Sequence, residues 1–189
     1  LWIMLATGCR VGELSAARWE YINLDQQHWL IPESKNGHSH TVFLSTFACQ
    51  QFEELNALTG ASPYCFPSRD ENTPIGPKSI TKQIRDRTRD IPLKGRSKST
   101  ATLLLSGGHW TPHDLRRTAA TLMGELGISG DVIDRCLNHV EQNRLKRIYQ
   151  RQELKEEQRS AWLTLGKRLN MLLSDNGENV LIGDFKRHA

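Results

Sequence analysis

At 189 residues and 21.5 kDa the chain is long enough to bury a proper core, and ordinary domain sizes predict one domain with a tail. No run reaches the ~18 to 20 apolar residues that a membrane crossing needs, so a spanning helix is excluded by length alone. The net charge of +4, from 25 Lys and Arg against 21 Asp and Glu, permits nucleic-acid binding without demanding it, which makes the distribution of charge more informative than its sum.

The chain opens on LWIMLATGC, which is apolar but short and without a basic leader; it reads as a core helix entered partway, not as a signal peptide. Because residue 1 is Leu and not Met, the start is expected to be truncated. Helix is predicted from Leu1 to about Ala17, broken or bent near Thr7 and Gly8. YINLD, HWLIP and HTVFLS are short and rich in β-branched or aromatic residues, and predict three small strands. ESKNGHS lies between the last two, and its Asn36-Gly37 pair predicts a hairpin turn with Lys35 near the tip. Thr46 to Leu58 has helical period, and TGASPYCFPSRDENTPIGP reads as loop.

In PKSITKQIRDRTRDI, Lys78, Lys82, Arg85 and Arg89 recur at helical spacing while Ile80, Ile84 and Ile91 take another side. This predicts an amphipathic helix whose basic face is either a nucleic-acid contact or an ordinary solvated surface. After a polar KGRSKST and an apolar ATLLLSGG of undecided type comes TPHDLRRT. There Thr111 suits an N-cap, Pro112 the first helical position, and Asp114 the position from which a carboxylate reaches back to the cap. His113 and Arg116 fall three apart on one face of the first turn, near the positive end of the helix dipole. The pair suits an anion such as phosphate; an Arg paired to a surface acid and a His on a solvated turn is the competing reading. Ile128 to Asp131 breaks this helix, DVIDRCLNHV starts another, and a last helix places Ala161, Leu165, Leu169 and Leu172 at helical spacing before NGENVLIGDFKRHA trails off. The amphipathic last helix fits packing on its own domain and docking on a neighbouring subunit equally. The architecture expected is α+β, mostly helical, with a small three-stranded antiparallel sheet near the N-terminus.

Several residues could carry chemistry. Arg10 and Glu13 in TGCRVGEL stand three apart, so the acid can orient the guanidinium. His139 is followed ten residues later by Tyr149, which Arg144, Lys146, Arg147 and Arg151 surround. Such a cationic setting favours a phenolate and hence a nucleophile, although a lone tyrosine is more often half-buried core and a lone histidine more often structural. His109 and His113 in HWTPH do not make a zinc pair, because Pro112 interrupts the helix and no third ligand is near. The four cysteines, Cys9, Cys49, Cys65 and Cys136, form no CxxC pair and point to a reducing, cytoplasmic compartment.

Taken in order, Arg10 in TGxRxxEL, Lys35 in a hairpin, His113 and Arg116 in HxLRRT, His139 in LxH and then Tyr149 resemble the catalytic domain of tyrosine recombinases, the phage integrase family. The resemblance runs from Thr7 to Arg151, and the tyrosine box is most similar to those of prophage and genomic-island integrases. It departs in one residue, Asn138, where the family often has Gly, and in lacking the N-terminal helical domain that completes the family's clamp around DNA.

The resemblance implies site-specific recombination of mobile DNA, with residues 1–175 as the catalytic domain and 176–189 as a tail. Tyr149 would be the nucleophile forming a 3′-phosphotyrosine link and freeing a 5′-hydroxyl. Arg10, Arg116, His113 and His139 would stabilise the phosphorane, Lys35 would protonate the leaving oxygen with His113 as a general acid or base, and Glu13 would support Arg10. Lys78, Lys82, Arg85, Arg89 and Arg117 would contact DNA. No metal, ATP or other cofactor is implied. The partners would be double-stranded DNA, three further copies in a tetramer, and DNA-bending accessory proteins, in a cytoplasmic, nucleoid-associated setting. An inactive DNA-binding module and a type IB topoisomerase are the alternatives.

Overall fold

The computed structural model describes residues 1–34, 37–139 and 154–174. Its elements in chain order are α1 (Trp2–Thr7), α2 (Val11–Ser15), a single 3-10 turn (Trp19–Tyr21), β1 (Ile22–Asn23), β2 (His28–Ile31), β3 (His40–Phe43), α3 (Thr46–Thr59), α4 (Pro77–Arg87), α5 (Pro112–Glu125), α6 (Gly130–Cys136) and α7 (Lys155–Ser174). The strands form one antiparallel sheet in the order β1-β2-β3, as expected from the sequence. The helix predicted up to Ala17 is two helices, separated by Gly8 in the left-handed conformation at φ 64°.

Helices α1, α3, α5 and α7 converge on one core. Its largest fully buried side chains include Trp29 and Val42 from the sheet, Phe52 from α3, Met123 from α5 and Trp162 and Leu165 from α7. Trp29 and Val42 are register partners and Ile31 pairs with His40, so the strand's two-residue period carries His40 onto the same inner face. The last helix packs on its own domain: Ala161, Leu165 and Leu169 are buried, whereas Leu172 has left the interface and is 41% exposed. Gly166 marks the tightest approach, since a Cβ there would lie 2.1 Å from the Ser45 Oγ. Trp162 reaches furthest, its indole Nε1 donating to the Thr7 carbonyl at 3.1 Å.

Two expectations change. α4 ends at Arg87, so Arg89 lies beyond the cap residue Thr88 and off the helical face, and Ile91 is exposed instead of packed. Past the helix end the Arg89 guanidinium turns back to the buried Asp86 carboxylate, which accepts from its Nη1 at 2.6 Å and from the Ser97 amide at 3.4 Å. ATLLLSGG forms irregular turns with Leu104 and Leu105 exposed, tied down where the Trp110 indole donates to the Leu103 carbonyl.

Candidate active site

The site is built on the C-terminus of α6. A helix end leaves carbonyls without intrahelical partners, and here the chain closes with a Schellman motif: the Asn138 amide donates to the Arg135 carbonyl and the His139 amide to the Asp134 carbonyl. The motif requires a left-handed residue, and Asn138 supplies it at φ 50°. Asn is among the few residues other than Gly that adopt this conformation readily, so the departure from the family's glycine preserves the turn.

The next three carbonyls point at three side chains from three other elements. The Cys136 carbonyl bonds His40 Nε2 at 3.1 Å, the Leu137 carbonyl accepts from Arg116 Nη2 in a short contact, and the Asn138 carbonyl accepts from Arg10 Nη2 at 3.2 Å. Consecutive Cα atoms are only about 3.8 Å apart, so the two guanidiniums are gathered side by side, and the negative end of the helix dipole offsets part of their repulsion.

Each arginine is held a second time. Arg116 donates Nη1 to the Gly8 carbonyl at 2.6 Å. Arg10 donates Nη1 to Glu13 Oε1 at 2.7 Å, and the other Glu13 oxygen accepts the Arg10 amide, also at 2.7 Å, so one carboxylate caps α2 and orients the guanidinium. Arg116 is 4% exposed, and burial first, then the Arg10 charge, pulls its pKa down to about 10, which leaves it cationic at neutral pH. Gly8 is confined by conformation and by space, since a Cβ there would sit 2.8 Å from Leu137 Cδ2.

At the start of α5, Thr111 and Asp114 form the predicted capping box, the Thr111 amide and hydroxyl both donating to Asp114 Oδ2 at 2.8 Å. The two readings of TPHDLRRT divide between neighbouring arginines. Arg117 pairs with Asp114 at 3.1 Å on the surface, whereas Arg116 turns inward. His113 is exposed beside the cap. His139 is exposed as well, and its Nδ1 bonds Asp134 Oδ1 at 2.9 Å, which leaves Nε2 for a substrate. Lys35 and Tyr149 lie outside the described residues, as do Arg144, Lys146, Arg147 and Arg151.

Lys78, Lys82 and Arg85 are exposed along α4, whose first residue, Pro77, lines a cavity of about 680 Å³ together with Arg10, Glu13, Tyr21, Trp29 and Pro32. His109 is engaged through Nδ1 by the Thr88 hydroxyl at 3.2 Å, and among the described residues no group of three metal-ligating side chains occurs. Nor is any described helix long and apolar enough to cross a membrane.

Sequence reasoning passed over His40. Its signal was the two-residue spacing to Val42 within HTVF, which puts a polar ring on the core side of a strand, where it must find a partner. Burial lowers its pKa, and the Arg10 and Arg116 charges act in the same direction, against its hydrogen bond to Cys136 and the Glu13 charge.

Known proteins resemble this chain in sequence and in fold. The chain is 31% identical over 187 residues to the prophage integrase IntA of Escherichia coli strain K12, covering 96% of the chain and 40% of that relative. Among solved structures it is similar to an integrase from mycobacterium phage Brujita, with a TM-score of 0.59 at 17% identity over 87% of the chain and 50% of that one. It is similar also to a lambda integrase tetramer bound to a Holliday junction, with a TM-score of 0.54 at 21% identity over 77% of the chain and 39% of that one. The chain thus spans less than half the length of the curated relative. The phage integrase family matches residues 1–156, a stretch that contains both arginines, the capped α5 and the α6 terminus, and the chain belongs to that family.

Proposed function

We propose that this chain carries out site-specific DNA recombination, cutting and rejoining strands through a covalent 3′-phosphotyrosine on Tyr149. The observation that carries the reading is the pair of guanidiniums gathered on adjacent carbonyls of the α6 terminus. Attack on a phosphodiester adds charge to the nonbridging oxygens, and preorganised planar donors stabilise that charge better in the transition state than in the ground state.

The step balances without an outside reactant. The Tyr149 oxygen forms a bond to phosphorus and gives up its proton to a base, for which His113 is exposed and available. The bond from phosphorus to the 5′-oxygen breaks, and Lys35 returns a proton to that oxygen, giving a 5′-hydroxyl. The 5′-hydroxyl of a partner strand then attacks the phosphotyrosine and releases the tyrosine. One phosphodiester replaces another, so neither ATP nor a metal takes part. Asp134 holds His139 through Nδ1 with Nε2 outward, toward the phosphate.

Residues 1–175 form the catalytic unit and 176–189 a tail, a division supported by the packing of α7 into the core. Lys78, Lys82 and Arg85 contact the DNA backbone. Arg117, 72% exposed, can exchange Asp114 for a phosphate, whereas Arg89 is held by Asp86. The chain works as a tetramer on two DNA sites, by analogy with the lambda integrase tetramer, with DNA-bending proteins assisting, in the cytoplasm on the nucleoid.

Covalent trapping tests the reading. The full chain, incubated in EDTA with a pool of nicked duplexes of varied sequence, is expected to give an SDS-resistant protein–DNA adduct that Tyr149→Phe abolishes. Salt-sensitive binding with no adduct would instead identify a DNA-binding module. Relaxation of supercoiled DNA without two-site recombination would identify a topoisomerase.

A further inference from the structure

Beyond the family's arginines, histidines, lysine and tyrosine, one more side chain belongs to the same construction. We propose that His40 is a positioning residue for strand cleavage: by donating Nε2–H to the Cys136 carbonyl and packing on Trp162, it fixes the α6 terminus on which Arg10 and Arg116 converge. The inference rests on the recombination reading above.

A closed circuit of contacts carries it. From Thr7 the chain passes to Gly8, whose carbonyl accepts Arg116. Arg116 also holds the Leu137 carbonyl, one residue from the Cys136 carbonyl that His40 engages. The His40 ring lies 6.1 Å from the Trp162 ring, tilted by 49°, and the Trp162 indole returns to the Thr7 carbonyl at 3.1 Å. Four of the links are hydrogen bonds between buried or half-buried groups, and the one side chain that β1, β2 and β3 supply to the circuit is His40. Through that residue the sheet is joined to the site.

A carbonyl is an acceptor only, so Nε2 must carry the proton and Nδ1 of the neutral ring is bare. Neutrality suits the place: an imidazolium would add a third positive charge to the two guanidiniums, and burial opposes it as well. His40 therefore supplies one donor and a flat ring. Losing the donor orphans the Cys136 carbonyl and frees the α6 end to rotate. Both guanidiniums and His139 would then be re-aimed by a fraction of an ångström to an ångström, a displacement that costs up to about 100-fold in rate when reacting groups must align. DNA affinity, governed by surface cations, would change little.

The test uses the full chain. In 15N-histidine spectra, His40 is expected as the Nε2–H tautomer; the Nδ1–H tautomer would overturn the proposal. Two variants then separate donor from packing. His40→Phe keeps a ring against Trp162 without a donor, and is expected to slow adduct formation at saturating DNA at least tenfold, with Kd within about twofold of wild type. His40→Gln restores a donor and is expected to recover the rate to within about threefold of wild type. Wild-type rate in His40→Phe, equal slowing in both variants, or an effect confined to Kd would each overturn the proposal. Should His40→Phe not fold, His40→Leu takes its place with the same criteria. If the wild-type chain forms no adduct, the recombination reading fails. In that event the tautomer and the Arg116 guanidinium N–H signals still judge the inference, and unchanged Arg116 signals in His40→Phe would sink it.

Discussion

Two groups of cations in this molecule use the same residue types for opposite purposes. Arg10 and Arg116 are held by backbone carbonyls and a carboxylate, one of them almost fully buried, so their direction is set before any ligand arrives. Lys78, Lys82 and Arg85 stand in solvent on α4, at the ends of long side chains. The first group spends folding energy on geometry and should govern rate. The second contributes charge and should govern affinity and its salt dependence.

The largest effect is expected where that geometry is removed. Arg116→Ala should lower the rate of phosphotyrosine formation by roughly 10² to 10³-fold at saturating DNA, the usual scale for deleting one preorganised transition-state donor. Arg116→Lys should do almost as badly, because an ammonium is a point charge and cannot span the Gly8 and Leu137 carbonyls as a planar fork does. A Lys variant with near-native rate would erase the distinction between the two groups. Trapping kinetics on a nicked duplex measures both.

On the other side, replacing Lys78, Lys82 and Arg85 together by Ala should leave the saturated rate unchanged while weakening binding. The slope of log affinity against log salt should fall by about 0.9 for each phosphate that is no longer neutralised. A slope identical to wild type would show that α4 faces away from DNA.

A smaller change probes the support behind Arg116. Gly8→Ala should destabilise the fold by about 1–2 kcal/mol, the cost of a left-handed alanine, with the approach to Leu137 Cδ2 adding to it. Because the Gly8 carbonyl is an Arg116 partner, cleavage should slow beyond what the stability loss explains, as read by denaturant titration beside trapping. A milder consequence concerns His40. Its folded-state pKa lies below the ordinary 6.5, so the unfolded chain takes up the proton first and stability falls as pH drops below about 6.5. His40→Gln should flatten that acid limb in thermal melts from pH 7 to 5.

The smallest effect is a lack of reaction. Burial pushes the thiols of Cys9, Cys65 and Cys136 up to about 12 and raises that of Cys49, so a thiol reagent at pH 8 should label none of the four until the chain is unfolded.

Much of this was legible in the linear chain because the signals are local. The capping box at Thr111 and Asp114, the break at Gly8, the three short strands and the apolar period of α7 each depend on residues close to one another in the chain, and each took the expected form. Periodicity misled at Arg89, which lies past the end of α4 and is held by the buried Asp86, since spacing alone does not say where a helix stops. Leu172 keeps the helical spacing of its neighbours but stands outside the core, since spacing names a face of a helix and not how far along it the partner surface extends.

By itself the sequence determined which residue types are present, in what order, and on which local elements, and that was enough to reveal the family from Arg10, Lys35, His113, Arg116, His139 and Tyr149 in their order. Only the tertiary structure decided that Arg116 turns inward while Arg117 meets Asp114, that Asn138 adopts the left-handed turn, and that His40 joins the arginines at the end of α6. The physical reason is the same in each case. A helix terminus advertises its unpaired carbonyls in sequence, but the donors that satisfy them come from segments up to 128 residues away, and nothing short of packing brings them together.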